Sequence, residues 1–230
     1  MIEGLRVLAI VPARGGSKGV PRKNLRLVGG KPLVCWTIEA AQASSYLDRV
    51  VVSSDDDEIC AAAAGYGAGI GLKRPAELAQ DDSTSLSVVL HAVREIPGYD
   101  IGVVLQPTSP LRTVADIDGC LEMMMARGSD SCVSVREAEE NPYWMYRLAS
   151  DFRLAPVLDR GLVPTRRQDL PPVYMPNGAV YAFRIDALER HGNFIGEHTV
   201  GYVMPSGRSL DIDTESEMAE AASLLGDGQE

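Results

Sequence analysis

The chain has no long apolar run. Its longest, such as Val7 to Ala13, is strand-length and falls well short of the roughly 18 residues that span a bilayer. The N-terminus lacks the basic-then-apolar layout of a secretory signal, so a cytoplasmic protein is expected. Only four cysteines occur, Cys35, Cys60, Cys120 and Cys132. They lie far apart, with no C-x-x-C pair and no neighbouring histidine pair, which argues against a zinc site or a disulfide framework and for reduced core thiols. Three histidines, His91, His191 and His198, are scattered without ligand or triad spacing, and a G-x-S-x-G elbow is missing. A broad basic face is missing too: the net charge is -10, which excludes nucleic acid as the expected partner.

One absence is local. Between Gly4 and Ile38 there is no Asp or Glu, while seven Arg or Lys residues occur there. They surround the phrase Val11-Pro-Ala-Arg-Gly-Gly-Ser-Lys-Gly-Val-Pro-Arg-Lys-Asn24. A cationic, glycine-rich turn in an acidic protein calls for a strongly anionic guest, and a polyphosphate fits. Gly15, Gly16 and Gly19 would let the backbone fold tightly and present N–H groups, with Arg14, Lys18 and Lys23 supplying charge. Neither the P-loop pattern nor the dinucleotide G-x-G-x-x-G is present. The plainer alternative is a solvated basic loop.

Around that turn the pattern is β-α-β. Leu5 to Val11 reads as a strand buried on both faces, followed by a helix from Pro32 to Ser44 and a strand from Arg49 to Ser53. A helix from Asp55 to Gly65, a weak strand near Ala68–Leu72, a helix from Thr84 to Ile96 and a strand from Asp100 to Leu105 continue the series. Thr113 and Asp116 make a capping-box-like start for a helix running to Arg127, and Cys132 to Val135 is a further strand. From Arg136 to Pro176 six prolines interrupt the rhythm, and this stretch reads as an inserted, β-rich arm. Strand character returns at Asn177–Phe183 and Gly201–Met204, and Glu215 to Leu225 is an amphipathic helix. Strands alternating with helices give the fold class α/β, a doubly wound and mostly parallel sheet. The core domain is residues 1–135 and 177–230, and the arm is 136–176. Ligands of such sheets bind beyond the carboxyl ends of the strands. The cationic turn, Ser53-Ser-Asp55 and Gln106-Pro-Thr-Ser109 all fall there.

Asp211-Ile-Asp213 puts two carboxylates on one side of an extended segment. Close carboxylates repel unless a cation bridges them, which suits Mg²⁺ holding phosphate oxygens. The alternative is an acidic helix start. Gln106 follows a buried strand, where its amide can donate and accept. Arg74-Pro-Ala-Glu-Leu-Ala79, the cluster Ser83-Thr-Ser85 and the pair Arg166-Arg167 are individually uninformative. Trp36 and Met123-Met-Met125 read as core.

Together these phrases resemble the acylneuraminate cytidylyltransferases, also called CMP-sialic acid synthetases, over nearly the whole chain. The resemblance rests on Ala13-Arg-Gly-Gly-Ser-Lys-Gly19 with Lys23-Asn24, Arg74 to Ala79, Gln106 to Arg112, Arg166-Arg-Gln168, Pro176-Asn-Gly178 and Asp211-Ile-Asp213. It implies that a nonulosonic (sialic-type) acid reacts with CTP to give the CMP-sugar and pyrophosphate. Arg14, Lys18 and Lys23 would then hold the triphosphate, Asn24 the ribose, and Arg74 with Ser83 and Ser85 the cytosine. Gln106 would contact the sugar and Asp211 and Asp213 would bind Mg²⁺. The family's inserted segment builds a homodimer and sends an arginine, here Arg166 or Arg167, into the neighbour's sugar site. Their planar forks suit a carboxylate. The anomeric hydroxyl attacks the α-phosphorus in line, catalysis being positioning plus charge neutralisation. Asp213 or a metal-bound water could take the proton.

Tyr143-Trp-Met-Tyr146 stands where some sialic-acid-activating members carry a lysine. Arg136-Glu-Ala-Glu-Glu-Asn-Pro-Tyr143 looks closer to members activating legionaminic sugars, and Asn177-Gly178 leans away from the pseudaminic type. Two alternatives stay open: a nucleotidyltransferase for another acidic or phosphorylated sugar, and a non-catalytic nucleotide-binding relative.

Overall fold

The first strand is buried on both faces. In the computed structural model, β1 (Val7–Pro12) presents Val7, Ala9 and Val11 to one core and Leu8 and Ile10 to another, all with no exposed surface. Alternating side chains point to opposite faces of a strand, so this continuous apolar run requires cover on both sides. The structure describes residues 1–68, 70–158 and 166–226.

In chain order the elements are β1, β2 (Leu27–Val28), β3 (Lys31–Pro32), α1 (Leu33–Gln42), β4 (Arg49–Ser54), α2 (Asp57–Gly65) and β5 (Ile70–Lys73). There follow α3 (Ser85–Glu95), β6 (Ile101–Val104), α4 (Val114–Ala126), β7 (Ser131–Glu137), β8 (Tyr146–Leu148) and β9 (Leu154–Pro156). The last are β10 (Tyr174–Arg184), α5 (Ile185–His191), β11 (Thr199–Val203) and α6 (Glu215–Gly226). Seven strands form one sheet in the order β11-β7-β10-β6-β1-β4-β5. β10 pairs antiparallel with β6 and β7, and every other pairing in the sheet is parallel. The doubly wound, mostly parallel α/β sheet expected from the strand–helix rhythm is the fold observed.

Chain order reverses between β1 and β6: β4 and β5 extend to one side of β1, and β6 pairs on the other. Crevices at such switch points bind ligands. Helices α1, α2 and α4 pack the face carrying Ile38, Ile59, Ile117 and Leu121, while Val89, Val93 and Leu188 of α3 and α5 cover the other. A third cluster joins Val20, Val28 and Leu33 to Ile212, Met218 and Ala221. It clamps the far side of the cationic turn to α6 and the segment before it.

Element ends differ from expectation by a residue or two. Pro32 stands as the N-cap of α1, and Asp56 rather than Asp55 caps α2, its carboxylate accepting from the N–H groups of Glu58 and Ile59. The capping box of α4 forms as read, between Thr113 and Asp116. The strand β7 runs on to Glu137 and β10 starts at Tyr174, so the stretch between them leaves and rejoins the sheet on two paired strands. Among the described residues its strands are the short hairpin β8–β9, open to solvent throughout. The four cysteines are free. No described helix is long and apolar enough to cross a membrane.

Candidate active site

A cleft of about 340 Å³ opens at the switch point, and nine of the residues singled out above line it: Arg14, Lys23, Asn24, Arg74, Ser83, Ser85, Gln106, Asp211 and Asp213. They come from six separated stretches of chain.

The cationic turn and the late acidic pair meet. Lys23 Nζ donates to Asp213 Oδ1 at 3.0 Å and to the Ile212 carbonyl at 2.6 Å. Gly19 makes the approach possible, since a Cβ there would lie 2.1 Å from the Asp213 carbonyl oxygen. Ile212 is fully buried in the third apolar cluster, so the alternation of an extended segment turns Asp211 and Asp213 the other way, into the cleft. Asp211 Oδ1 is buried and has no hydrogen-bond partner. Burial pushes the Asp211 carboxyl above its ordinary range, with Asp213 adding to the rise and a Thr108 hydrogen bond opposing it.

Not every basic residue of the turn region faces the cleft. Arg6 stacks on Tyr99, Arg22 pairs with Asp56 and Glu58, Arg26 takes Glu215 through both guanidinium nitrogens, and Lys31 lies over Trp36 while paired with Glu39. Of the remaining three, Arg14 and Lys23 line the cleft, whereas Lys18 is exposed, does not line it, and meets it only through Asp81. Arg14 Nη1 meets Asp81 Oδ1 at 3.1 Å, and Lys18 Nζ meets Asp81 Oδ2 at 2.7 Å. Lys18, with Arg14 beside it, holds the Asp81 carboxyl below its usual range.

The turn itself is built differently from expectation. The Gly15 N–H donates to Asp55 Oδ1 at 3.0 Å, so it is engaged within the protein and does not face a guest. Gly15, Gly16 and Gly19 all keep negative φ, and the left-handed residue is Arg22 at 54°. Gly15 is required for close approach, because a Cβ would sit 2.8 Å from Asp56 Oδ2. Asn24 closes the loop, its Nδ2 donating to the Arg14 carbonyl at 2.9 Å.

On the opposite wall Arg74 is buried, donating to the Ser53 carbonyl at 2.7 Å and to Ser53 Oγ at 3.2 Å. Burial pulls its pKa down, and nearby Arg14 lowers it further against the pull of Asp55. Ser85 opens α3, capped by Thr84, which accepts from the Ser87 N–H at 3.1 Å. The positive end of that helix therefore borders the cleft. Ser83 Oγ donates to the Glu77 carbonyl. Beneath Gln106, the guanidinium of fully buried Arg112 holds the Gln106 carbonyl at 3.2 Å and that of Ala179 at 2.8 Å. Burial pushes the pKa of Arg112 down to about 10, so it stays charged. Arg166 and Arg167 are exposed and lie outside the cleft of their own chain, Arg167 lining a separate hollow with Asn141 and Leu170. Asp55 and Thr108 fall in stretches the strand ends had marked, without a role of their own, and Asp81 was not legible as a site residue, since its partners Arg14 and Lys18 are distant in sequence.

Two carboxylates with a buried, unpartnered oxygen fit a hard divalent ion that keeps water and phosphate as its other ligands. Among the described residues there is no cluster of three or more metal-ligating side chains.

The cytidylyltransferase family profile matches residues 8–194. The CMP-N,N'-diacetyllegionaminic acid synthase of Legionella pneumophila is 34% identical over 237 residues, covering 98% of this chain and 99% of that protein. The N-acylneuraminate cytidylyltransferases of Escherichia coli and Streptococcus agalactiae are 32% and 33% identical over 95% and 93% of the chain. The chain spans about half of their length, 52% in each case. Two solved structures share the fold: CMP:2-keto-3-deoxy-manno-octonic acid synthetase complexed with CTP (TM-score 0.72, 17% identity, 96% of this chain and 99% of that one) and the 4-diphosphocytidyl-2C-methyl-D-erythritol synthase of Anaerococcus prevotii (TM-score 0.69, 13% identity, 97% of each). Motifs, fold and relatives agree that this chain is a member of the cytidylyltransferase family, as its likeness to the acylneuraminate cytidylyltransferases implies.

Proposed function

We propose that this protein activates a nonulosonic acid of the legionaminic type with CTP, giving the CMP-sugar and pyrophosphate. The observation that carries the reading is the meeting of Lys23 with Asp213. It places the cationic turn and the acidic pair on one cleft, as a nucleotide triphosphate and its divalent ion require. The near full-length similarity to the Legionella synthase favours a legionaminic-type sugar.

On this reading Arg14, Lys18 and Lys23 hold the triphosphate, displacing Asp81 from the first two. Arg74, Ser83 and Ser85 line the base pocket, and Asn24, which already orders the turn, borders the ribose. Gln106, fixed from below by Arg112, orients the sugar so that its anomeric hydroxyl lies in line with the α-phosphorus. The P–O bond to the leaving pyrophosphate breaks as the new P–O bond forms. Lys23 and Arg14 stabilise the charge gathering on the leaving group. Asp211 and Asp213 would hold Mg²⁺, which would supply further charge neutralisation there. The cleft walls carry no histidine, so the hydroxyl proton goes to Asp213 or to water. A CTP-consuming step of this kind belongs in the cytoplasm.

With Arg14 and Lys23 assigned to the triphosphate and Arg74 to the base, the sugar carboxylate calls for a further cation. Arg166 or Arg167 from a second copy would supply it, the exposed arm with Leu148, Phe152 and Leu154 at 63, 82 and 64% exposure forming the contact. Mixing an Asp213→Ala chain with an Arg166→Ala/Arg167→Ala chain tests this: a homodimer with shared sites regains activity in hybrid dimers. Two inactive parents that stay inactive when mixed would remove both arginines from the reading. The activity itself is tested by pyrophosphate release from CTP with Mg²⁺ and N-acetylneuraminic, legionaminic or pseudaminic acid. Release should be greatest with legionaminic acid, and no release with any of them overturns the proposal.

A further inference from the structure

Asp116 lies outside the cleft, yet it is fully buried. As the third residue of α4 it closes the capping box, its Oδ2 accepting from the Thr113 N–H at 2.9 Å and the Thr113 hydroxyl at 2.8 Å. An exposed carboxylate would cap a helix equally well. Its burial is explained by Arg208, whose Nη2 lies 2.7 Å from Oδ1 and Nε 3.0 Å from Oδ2. The pair is a bidentate fork across 92 residues of chain. Asp116 is buried while Arg208 is partly exposed, and an ion pair with a buried member is weak evidence of net stabilisation, so placement is the property to examine.

Arg208 stands three residues before Asp211. Ser209 is held by Asn177, whose Nδ2 donates to Ser209 Oγ at 2.9 Å. Beyond Asp211, the Ile212 N–H donates to the Thr108 carbonyl at 2.8 Å, and Glu217 Oε2 receives the N–H groups of Asp213 and Thr214, both at 2.8 Å. The segment is thus fixed on both sides of Asp211. The later anchor belongs to α6 itself, whereas the earlier one depends on Arg208 and Ser209. Asp116 is also bonded to Thr113, the residue that ends the loop carrying Gln106 and Thr108. One buried carboxylate therefore links the sugar-side loop to the segment bearing the acidic pair.

We propose that Asp116 and Arg208 are positioning residues, their fork setting where the Asp211 carboxylate stands relative to Thr108 and Gln106. The inference rests on the reading that Asp211 and Asp213 hold a divalent ion. It is tested with Arg208→Met, Arg208→Lys and Asp116→Asn in the full chain. Manganese binding is measured in the presence of CTP by electron paramagnetic resonance, beside CTP affinity, Mg²⁺-dependent kcat and thermal unfolding. Loss of a group that orients metal ligands typically costs about 10- to 100-fold in metal affinity or activity. Arg208→Met should show such a loss in manganese affinity and kcat while CTP affinity without metal stays within about twofold. Arg208→Lys, which keeps the charge but not the fork, should recover part of it. The double variant should be no worse than either single, because both remove one contact. A lower melting temperature with unaltered manganese affinity in Arg208→Met and Arg208→Lys would overturn the proposal and leave the pair a structural brace. Should the unaltered protein with CTP bind no manganese, the metal reading fails first and this inference falls with it.

Discussion

Lys23 Nζ sits 3.0 Å from Asp213 Oδ1, although 190 residues separate them in sequence. The Lys23 side chain is only 12% exposed and that of Asp213 75%, so Lys23 is held in place by the protein and Asp213 faces the solvent of the cleft. A bound triphosphate with its ion would take over both charges. Asp213→Ala should therefore abolish turnover with the fold unchanged by circular dichroism. Arg14→Ala should lower kcat/KM by at least about 10²-fold, the scale for removing one preorganised charge stabiliser. Steady-state pyrophosphate release checks both, and normal rates in either variant would remove that residue from the site.

Gly19 is a sharper probe of the same junction. A Cβ there would meet the Asp213 carbonyl, which is backbone and cannot swing aside. Gly19→Ala should separate the turn from the acidic segment, raising the Mg²⁺ concentration needed for half-maximal activity and the KM for CTP together. Gly16→Ala meets nothing within 4 Å and should leave both unchanged. Equal behaviour of the two alanine variants would show that the close approach does not matter.

Much of this was legible in the sequence, for physical reasons that also mark the limit. Strands buried on both faces write themselves as unbroken apolar runs, so Val7–Pro12 and Arg49–Ser54 could be placed. The alternation of Asp211, Ile212 and Asp213 gives the direction of all three side chains once the segment is extended. The acid-free, cationic stretch around the turn was read as one anion site, but Arg6, Arg22, Arg26 and Lys31 have partners elsewhere, two of them more than 90 residues away. Charge counted along a chain does not say which cations converge. The helix Ile185–His191 is two turns long, too short for a period to stand out, and β2 and β3 have two residues each. Asp116 announced itself as a cap and Arg208 as nothing, because their pairing exists only in the folded chain.

Asp211 should cost the protein stability in return for function. Burial raises its carboxyl above the ordinary value. A group whose folded pKa is raised stabilises most below its unfolded pKa and loses that contribution as pH climbs through the folded one. At neutral pH the metal-free protein therefore carries an unfavourably buried charge. Asp211→Asn should melt higher than the unaltered chain at pH 7–8 without metal, with the difference fading below about pH 4, where both forms are neutral. The same variant should lose turnover. A lower melting temperature for Asp211→Asn at neutral pH would mean that Asp211 is satisfied in the metal-free protein.

Asp116 predicts the opposite slope. Burial pushes its carboxyl upward, but the Arg208 fork and the Thr113 N–H and hydroxyl outweigh it, and the group titrates below its ordinary value. A depressed folded pKa gives stability that is present above the unfolded pKa, near 4, and is lost as pH falls through the folded one. Unfolding free energy measured by urea titration should therefore drop as pH falls below about 4, and part of that drop should vanish in Asp116→Asn. Arg208→Met removes the same fork and should flatten the same limb, although Arg208 does not titrate in this range. Matching pH profiles in these two variants would assign that part of the acid limb to the Asp116–Arg208 pair. An acid limb of full slope in Asp116→Asn would assign it to other carboxylates.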